Sequence, residues 1–252
     1  LIRIAAVGDI HVGRDTRPDL LSFERIVDAA DVLLLAGDLT QHGYADEVRV
    51  LCKRLAGVEV PIVAVLGNHD YHQDQEDEIR LELEGVGVRV LEGESAMLDI
   101  NGVRVGVAGV KGFGGGFVDA CASEFGEEEM KAFVRHSRAV AKGFDEALRA
   151  LDCDLRIALT HYAPARGTLT GEPLEIYPFL GSYFLGEAID DARCAVAFHG
   201  HAHSGCERAL TPGGVPVRNV ARPVIKFAYK VYTLSGELPL EEPRSIPCEL
   251  PR

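Results

Sequence analysis

Long apolar runs are missing from this 252-residue chain, and the longest clean one is Val32 to Ala36. Crossing a bilayer takes ~20 predominantly apolar residues, so no membrane-spanning segment is expected. The N-terminus has no basic segment followed by a long apolar stretch, so no signal peptide is visible. It begins at Leu1 rather than Met, as a chain lacking something upstream would. Paired cysteines are missing too. Cys52, Cys121, Cys153, Cys194, Cys206 and Cys248 are scattered with no C-x-x-C spacing, which argues against zinc knuckles or a disulfide framework. Reduced thiols in the cytoplasm are the simpler reading. Basic charge is short: 26 Lys and Arg face 39 Asp and Glu, a net charge of −13. Such a surface repels long nucleic-acid backbones, which need several Lys or Arg contacts. No nucleic-acid polymer is expected as a partner, and an anionic substrate has to be small or be drawn in by local positive charge. No basic amphipathic helix suited to membrane docking is seen either.

What is present is the composition of a folded protein, 47% hydrophobic. Ile2 to Val7, Val32 to Ala36 and Pro61 to Leu66 are short β-branched or Leu-rich runs bounded by Gly, Asp or Pro, which favours buried strands. Asp19 to Ala30, opened by Pro18, and Tyr44 to Ala56 carry apolar residues at helical spacing. Asp74 to Glu84 reads as a third helix, acidic in its first turn as the helix dipole prefers. Such a β-α-β-α-β start implies parallel strands joined by crossovers. Close-spaced strands follow at Val86 to Leu91, Ala96 to Ile100 and Val103 to Val110. The last two are joined by Asn101-Gly102, a hairpin signal because both turn residues need positive φ. Glu127 to Leu151 is long and helical in composition, with Gly143 as a kink or break. Strands return at Leu155 to Thr160 and Cys194 to Phe198, and Cys206 to Leu234 reads as a hairpin over Pro212-Gly213-Gly214 plus one more strand. With no repeat, low-complexity tract or dividing linker, one domain over residues 1–252 with two sheets is expected.

Five of these runs end in similar chemistry. They lead into Gly8-Asp9-Ile10-His11, Gly37-Asp38, Gly67-Asn68-His69-Asp70, His161, and His199-Gly200-His201-Ala202-His203. Ligands of open α/β sheets sit at the carboxyl ends of strands, so these groups are expected to converge. Carboxylates, an amide oxygen and imidazoles without thiolate make a mixed O/N site that suits Mn²⁺, Fe or Zn²⁺. The donors are too many for one tetrahedral ion, and two ions with a shared carboxylate would use them all. Each piece alone is ordinary, since an Asp closing a strand is usually a turn former or cap. Their ordered conjunction at strand ends is what points to a site.

Taken together, Asp9-x-His11, Gly37-Asp38, Gly67-Asn68-His69-Asp70, His161 and Gly200-His201-x-His203 resemble the motif set of the calcineurin-like metallophosphoesterases. The resemblance implies a four-layer α/β/β/α sandwich with two mixed β-sheets. It assigns one metal to Asp9, His11, Asp38 and His203, and the other to Asp38, Asn68, His161 and His201, with Asp38 bridging. Two ions about 3.5–4 Å apart clamp the attacking and leaving oxygens of an in-line displacement. The implied reaction is attack on a phosphate ester by a hydroxide held between them. His69, next to Asn68, would face the leaving group, and Asp70 would either orient that imidazole or cap the following helix.

Three cations are candidates for substrate contact: Arg14 near His11, Lys111 before the loop Gly112 to Gly116, and Arg166 after His161. That loop is either a flexible surface loop or a substrate-facing one. His199 is expected in the core or behind the ligands, and His42, His72 and His136 at the surface. Residues at about 111–150 and 162–192 are candidate substrate-pocket insertions; the aromatics of the second either wall the pocket or simply pack. The leading function is hydrolysis of a small phosphodiester of nucleotide or cyclic-nucleotide type. A phosphomonoesterase or protein phosphatase, and a non-catalytic metal-binding scaffold, are the alternatives.

Overall fold

The runs read as strands do form sheets, with bounds that shift by a few residues at most. The computed structural model describes residues 1–17, 22–23 and 26–234. Within them, one sheet is built from β1 (Ile2–Val7), β2 (Val32–Ala36), β3 (Ile62–Val65), β4 (Val88–Val90) and β13 (Lys230–Leu234), in the order β13-β1-β2-β3-β4. The second uses β5 (Glu94–Ile100), β6 (Val103–Val110), β9 (Leu155–Thr160), β10 (Val196–His199), β11 (Arg208–Leu210) and β12 (Pro216–Asn219), in the order β11-β12-β10-β9-β6-β5. A two-stranded hairpin, β7 (Gly116–Phe117) with β8 (Ala120–Cys121), stands apart. β1 to β4 run parallel, as the opening pattern implies, while β13 lies antiparallel on β1. In the second sheet β6, β9, β10 and β12 are parallel and the edges β5 and β11 antiparallel. Both sheets are therefore mixed.

The helices are α1 (Ile26–Ala29), α2 (Ala45–Leu55), α3 (Glu76–Gly85), α4 (Glu128–Arg149), α5 (Tyr177–Leu180), α6 (Tyr183–Asp191) and α7 (Arg222–Ile225). The helix expected over residues 19–30 is described only as α1, since residues 18–21 and 24–25 lie outside the described residues; Cys248 does too. Gly143 does not break α4, which runs unbroken through it. A Cβ there would meet nothing, so the glycine is a tolerated solvent-side position rather than a kink. At the β5–β6 turn Asn101 and Gly102 both have positive φ, 54° and 77°, as the hairpin requires.

Period-two alternation sorts the second sheet's side chains into two cores. Val105, Val107, Ile157, Leu159 and Phe198 face the first sheet and join Val7, Leu33, Leu35 and Val63 in one core. Ala108, Ala158 and Ala197, one residue out of phase, face α4 and α6 and pack with Phe144, Leu148 and Ile189. On the far side, Val48 and Leu51 of α2 and Ile79 and Leu83 of α3 cover the first sheet. The layers are thus helix, sheet, sheet, helix, the four-layer sandwich. No helix among the described residues is long and apolar enough to cross a membrane.

Candidate metal centre

Parallel pairing of β1, β2 and β3 brings Asp9, Asp38 and Asn68 to one edge of the first sheet. β9 and β10 bring His161, His201 and His203 to the matching edge of the second. Backbone bonds continue past the strand ends: Asp9 N donates to Gly37 O at 2.9 Å and His11 N to Asp38 O at 3.0 Å. His161 Nδ1 crosses between the sheets to Ala36 O at 2.9 Å. The turns are tight, and Asp9, His11, Asp38 and His201 hold left-handed backbone at φ 55°, 49°, 50° and 69°.

Two groups of potential ligand atoms result. Asp9, His11, Asp38 and His203 form one and Asp38, His161 and His201 the other, each with its atoms within 4.8 Å of one another. Asn68 joins the second, its Oδ1 lying 2.9 Å from His161 Nε2. The donor chemistry suits a cation. Ala36 O is an acceptor, so His161 carries its proton on Nδ1. Burial pushes this imidazole well below its ordinary pKa and keeps it neutral, leaving Nε2 a bare lone pair. That lone pair faces Asn68 Oδ1 and, at 3.3 Å, Asp38 Oδ1. Three acceptors meet with no donor among them, an arrangement that a cation would satisfy and that otherwise is repulsive. In the other group both ring nitrogens of His11 are buried without a hydrogen-bond partner. The residues fit metal ions in both places.

Protonation favours the same fit. Burial lowers His11 to about 4 and His201 to about 3, so both present the neutral, ligating form. His203 goes the other way, raised by its 2.8 Å contact with Asp9. Burial raises the Asp9 carboxyl to about 6, although His201 N–H donates to both its oxygens, at 3.0 and 2.9 Å. His201 Nε2 pairs with Phe179 O at 3.2 Å, leaving Nδ1 as its lone pair.

His69 lies against His11, ring centroids 4.5 Å apart. Its Nδ1 pairs with Gln41 O at 2.8 Å. Asp70 therefore does not orient the His69 ring, and it caps no helix. It is fully buried and accepts from Thr40 N and Oγ1, Leu39 N and Gly67 N, tying the loops after β2 and β3 together. Among the cations singled out from sequence, Arg14 is exposed and held by Asp46 at 2.8 Å and by the Tyr44 ring. Arg166 is exposed and lies over Tyr177. Lys111 is the one brought inward, its Nζ over the rings of Tyr71, Phe113 and Tyr162 at 4.7, 5.6 and 5.6 Å. His199 is fully buried between Gly200 O and Thr168 Oγ1. His42 pairs with Glu47, and His72 and His136 are exposed.

Sequence reasoning missed Arg222 and Lys226. With Pro223 and Asp9 they line a cavity of about 420 Å³ beside the first group. Their signal was faint: they follow the last motif by about twenty residues and reach the centre only because α7 follows β12 to the same sheet edge.

Ions held by shared carboxylate and imidazole at the edge of such a sandwich define a class, the dinuclear hydrolases. A model of the calcineurin-like phosphoesterases matches residues 2–205, and the chain belongs to that family. It is accordingly a metal-dependent phosphoesterase. No curated protein matches it significantly. Among solved structures, phosphopantetheinyl hydrolase from Mycobacterium tuberculosis is similar over 97% of this chain and 98% of its own, at 14% identity and a TM-score of 0.64. A Thermus thermophilus protein, TT1561, is 18% identical over 87% of this chain and 88% of its own, with a TM-score of 0.54. A putative 5'-nucleotidase from Staphylococcus aureus is 14% identical, over 86% of this chain and 48% of that one, with a TM-score of 0.57. At these identities they share the architecture and lend no substrate.

Proposed function

We propose that the chain hydrolyses a small phosphodiester, of nucleotide or cyclic-nucleotide type, at a two-ion centre. Asp9, His11, Asp38 and His203 would hold one ion and Asp38, Asn68, His161 and His201 the other. The carrying observation is the convergence of bare acceptors at His161 Nε2, Asn68 Oδ1 and Asp38 Oδ1, with Asp38 common to both groups. Divalent ions bound there supply an activated water and offset charge on the phosphoryl oxygens.

The protein's own share is positioning. Backbone N–H groups of His201 and His69 aim the Asp9 and Asp38 carboxylates, and Ala36 and Phe179 carbonyls fix the His161 and His201 rings. With Nδ1 engaged by Gln41, His69 has Nε2 left to meet the leaving oxygen. Arg222 and Lys226 give an anionic substrate local positive charge against the net −13 of the chain.

Two observations favour the diester over a monoester. The cavity beside Asp9 is one space for an ester arm. A second, of about 480 Å³, has Phe179 in its wall, whose carbonyl holds His201. An O/N donor set without thiolate suits Mn²⁺, Fe or Zn²⁺, and cysteines that form no disulfide among the described residues accord with the cytoplasm. The core shared by both sheets accords with one domain over residues 1–252. The test compares bis-p-nitrophenyl phosphate with p-nitrophenyl phosphate after chelation and readdition of Mn²⁺. Metal-dependent turnover with kcat/KM higher for the bis-ester is expected; a monoester preference overturns the diesterase assignment.

A further inference from the structure

Residues 111–150 and 162–192 lie outside the two large sheets and build a wall beside the candidate centre. Gly115 N donates to Pro178 O at 2.7 Å and Gly116 N to Gly181 O at 2.9 Å, which stitches the β7–β8 hairpin to α5. With α4 these segments enclose the 480 Å³ cavity, lined by Ala120, Cys121, Met130, Phe133, Pro178 and Phe179, with Asp119 its one charged residue. A space of this size takes a small ligand or a large part of one. Its apolar walls are open to water: Phe179 is 60% exposed and Met130 41%, a clustering that marks a surface built to be covered.

Phe179 links the cavity to the centre: it contributes its carbonyl to His201 and also lines the cavity. A file of rings makes the same journey. Tyr162 stands 4.4 Å from the His201 ring, Phe113 6.1 Å from Tyr162, and Phe133 5.1 Å from Phe113. Lys111 Nζ sits at the near end of this file, between Tyr71, Tyr162 and Phe113. Positive charge therefore lies by the centre, and the residues lining the far end include no cation, so the far end does not suit a phosphate. We infer that this cavity holds an uncharged, apolar arm of the substrate, an alkyl, aryl or thioether chain on one ester oxygen, with Lys111 marking the phosphate end. The inference rests on the phosphodiesterase reading above and narrows it to esters with one apolar arm.

Cys121 is exposed in the cavity wall and serves as a reporter. Iodoacetamide labelling of Cys121 in the full chain with Mn²⁺, followed by peptide mass spectrometry, should slow at least fivefold with n-hexyl phosphate and not with inorganic phosphate. In parallel, KM for methyl to hexyl p-nitrophenyl phosphates should fall about threefold per added methylene until the cavity fills. Met130→Glu, at a half-exposed helix position that tolerates charge, should flatten that series and abolish protection. Turnover of the methyl ester with a flat series and no protection overturns the apolar arm while leaving the phosphodiesterase reading intact. Protection by hexyl phosphate with no turnover of any ester does the reverse. Labelling that slows with protein concentration alone would assign the cavity to a second copy of the chain and overturn the inference.

Discussion

Four of the proposed ligands, Asp9, His11, Asp38 and His201, adopt left-handed backbone that non-glycine residues seldom occupy. Such conformations cost on the order of 1–3 kcal/mol each and persist where the surroundings over-determine them. Neighbouring glycines show the confinement. A Cβ on Gly67 would fall on the Asp38 carboxylate, and one on Gly200 on Asp9 Oδ2. Gly67→Ala should therefore lower occupancy of both ions, and Gly200→Ala chiefly that of the ion held by Asp9, as metal-to-protein ratios by mass spectrometry would record. Equal ratios in wild type and both variants would contradict the shared role of Asp38. His69 has its Nδ1 committed to Gln41 and its Nε2 left for the leaving group, so His69→Ala should cut turnover by about 10²-fold or more while both ions stay bound. Loss of metal in that variant would place His69 among the ligands instead.

At the scale of elements, β1 is anchored at its start by Arg3 and Asp31. Arg3 N donates to Asp31 Oδ2 at 2.8 Å and its guanidinium to Oδ1 at 2.7 Å. The Arg3 hydrogen bond holds the Asp31 carboxyl below its ordinary pKa. A carboxyl depressed on folding contributes stability above its unfolded value of about 4, and that contribution fades as pH falls through the folded value. Asp31→Asn should thus lower Tm at pH 7, and the difference should shrink steadily as pH falls below about 4; a Tm loss that stays constant with falling pH would tie it to packing instead. Strand ends were the legible part of the sequence. A short apolar run closed by Gly and a polar ligand has one local meaning, and the conjunction placed all seven proposed ligands. Asp70 was illegible because its partners Leu39 and Thr40 come from another loop some thirty residues away. Arg222 and Lys226 were illegible because only the path of β12 and α7 carries them to Asp9. Gly143 misled for the opposite reason: local propensity predicts a break that packing of α4 overrides.

Over the whole molecule, charge is distributed by purpose. Arg49, Arg80, Arg104, Arg135, Arg138 and Arg149 are spent in surface ion pairs with Asp and Glu, which add little stability individually. Lys111, Arg222 and Lys226 instead border the centre. The sheet order has a different consequence, one of time. β1 pairs on one side with β2, Ile4 opposite Val32, and on the other with β13, Ile4 opposite Tyr232. Closing the second loop, of about 230 residues against about 30, costs ~2 kcal/mol more in chain entropy. The strand that leads into Asp9 is therefore synthesised long before its second partner and is among the last completed, and its open edge is a hazard until β13 arrives. Pulse-labelled hydrogen exchange during refolding should find β2 and β3 amides protected before those of β13, and simultaneous protection would mean that the fold closes in a single step.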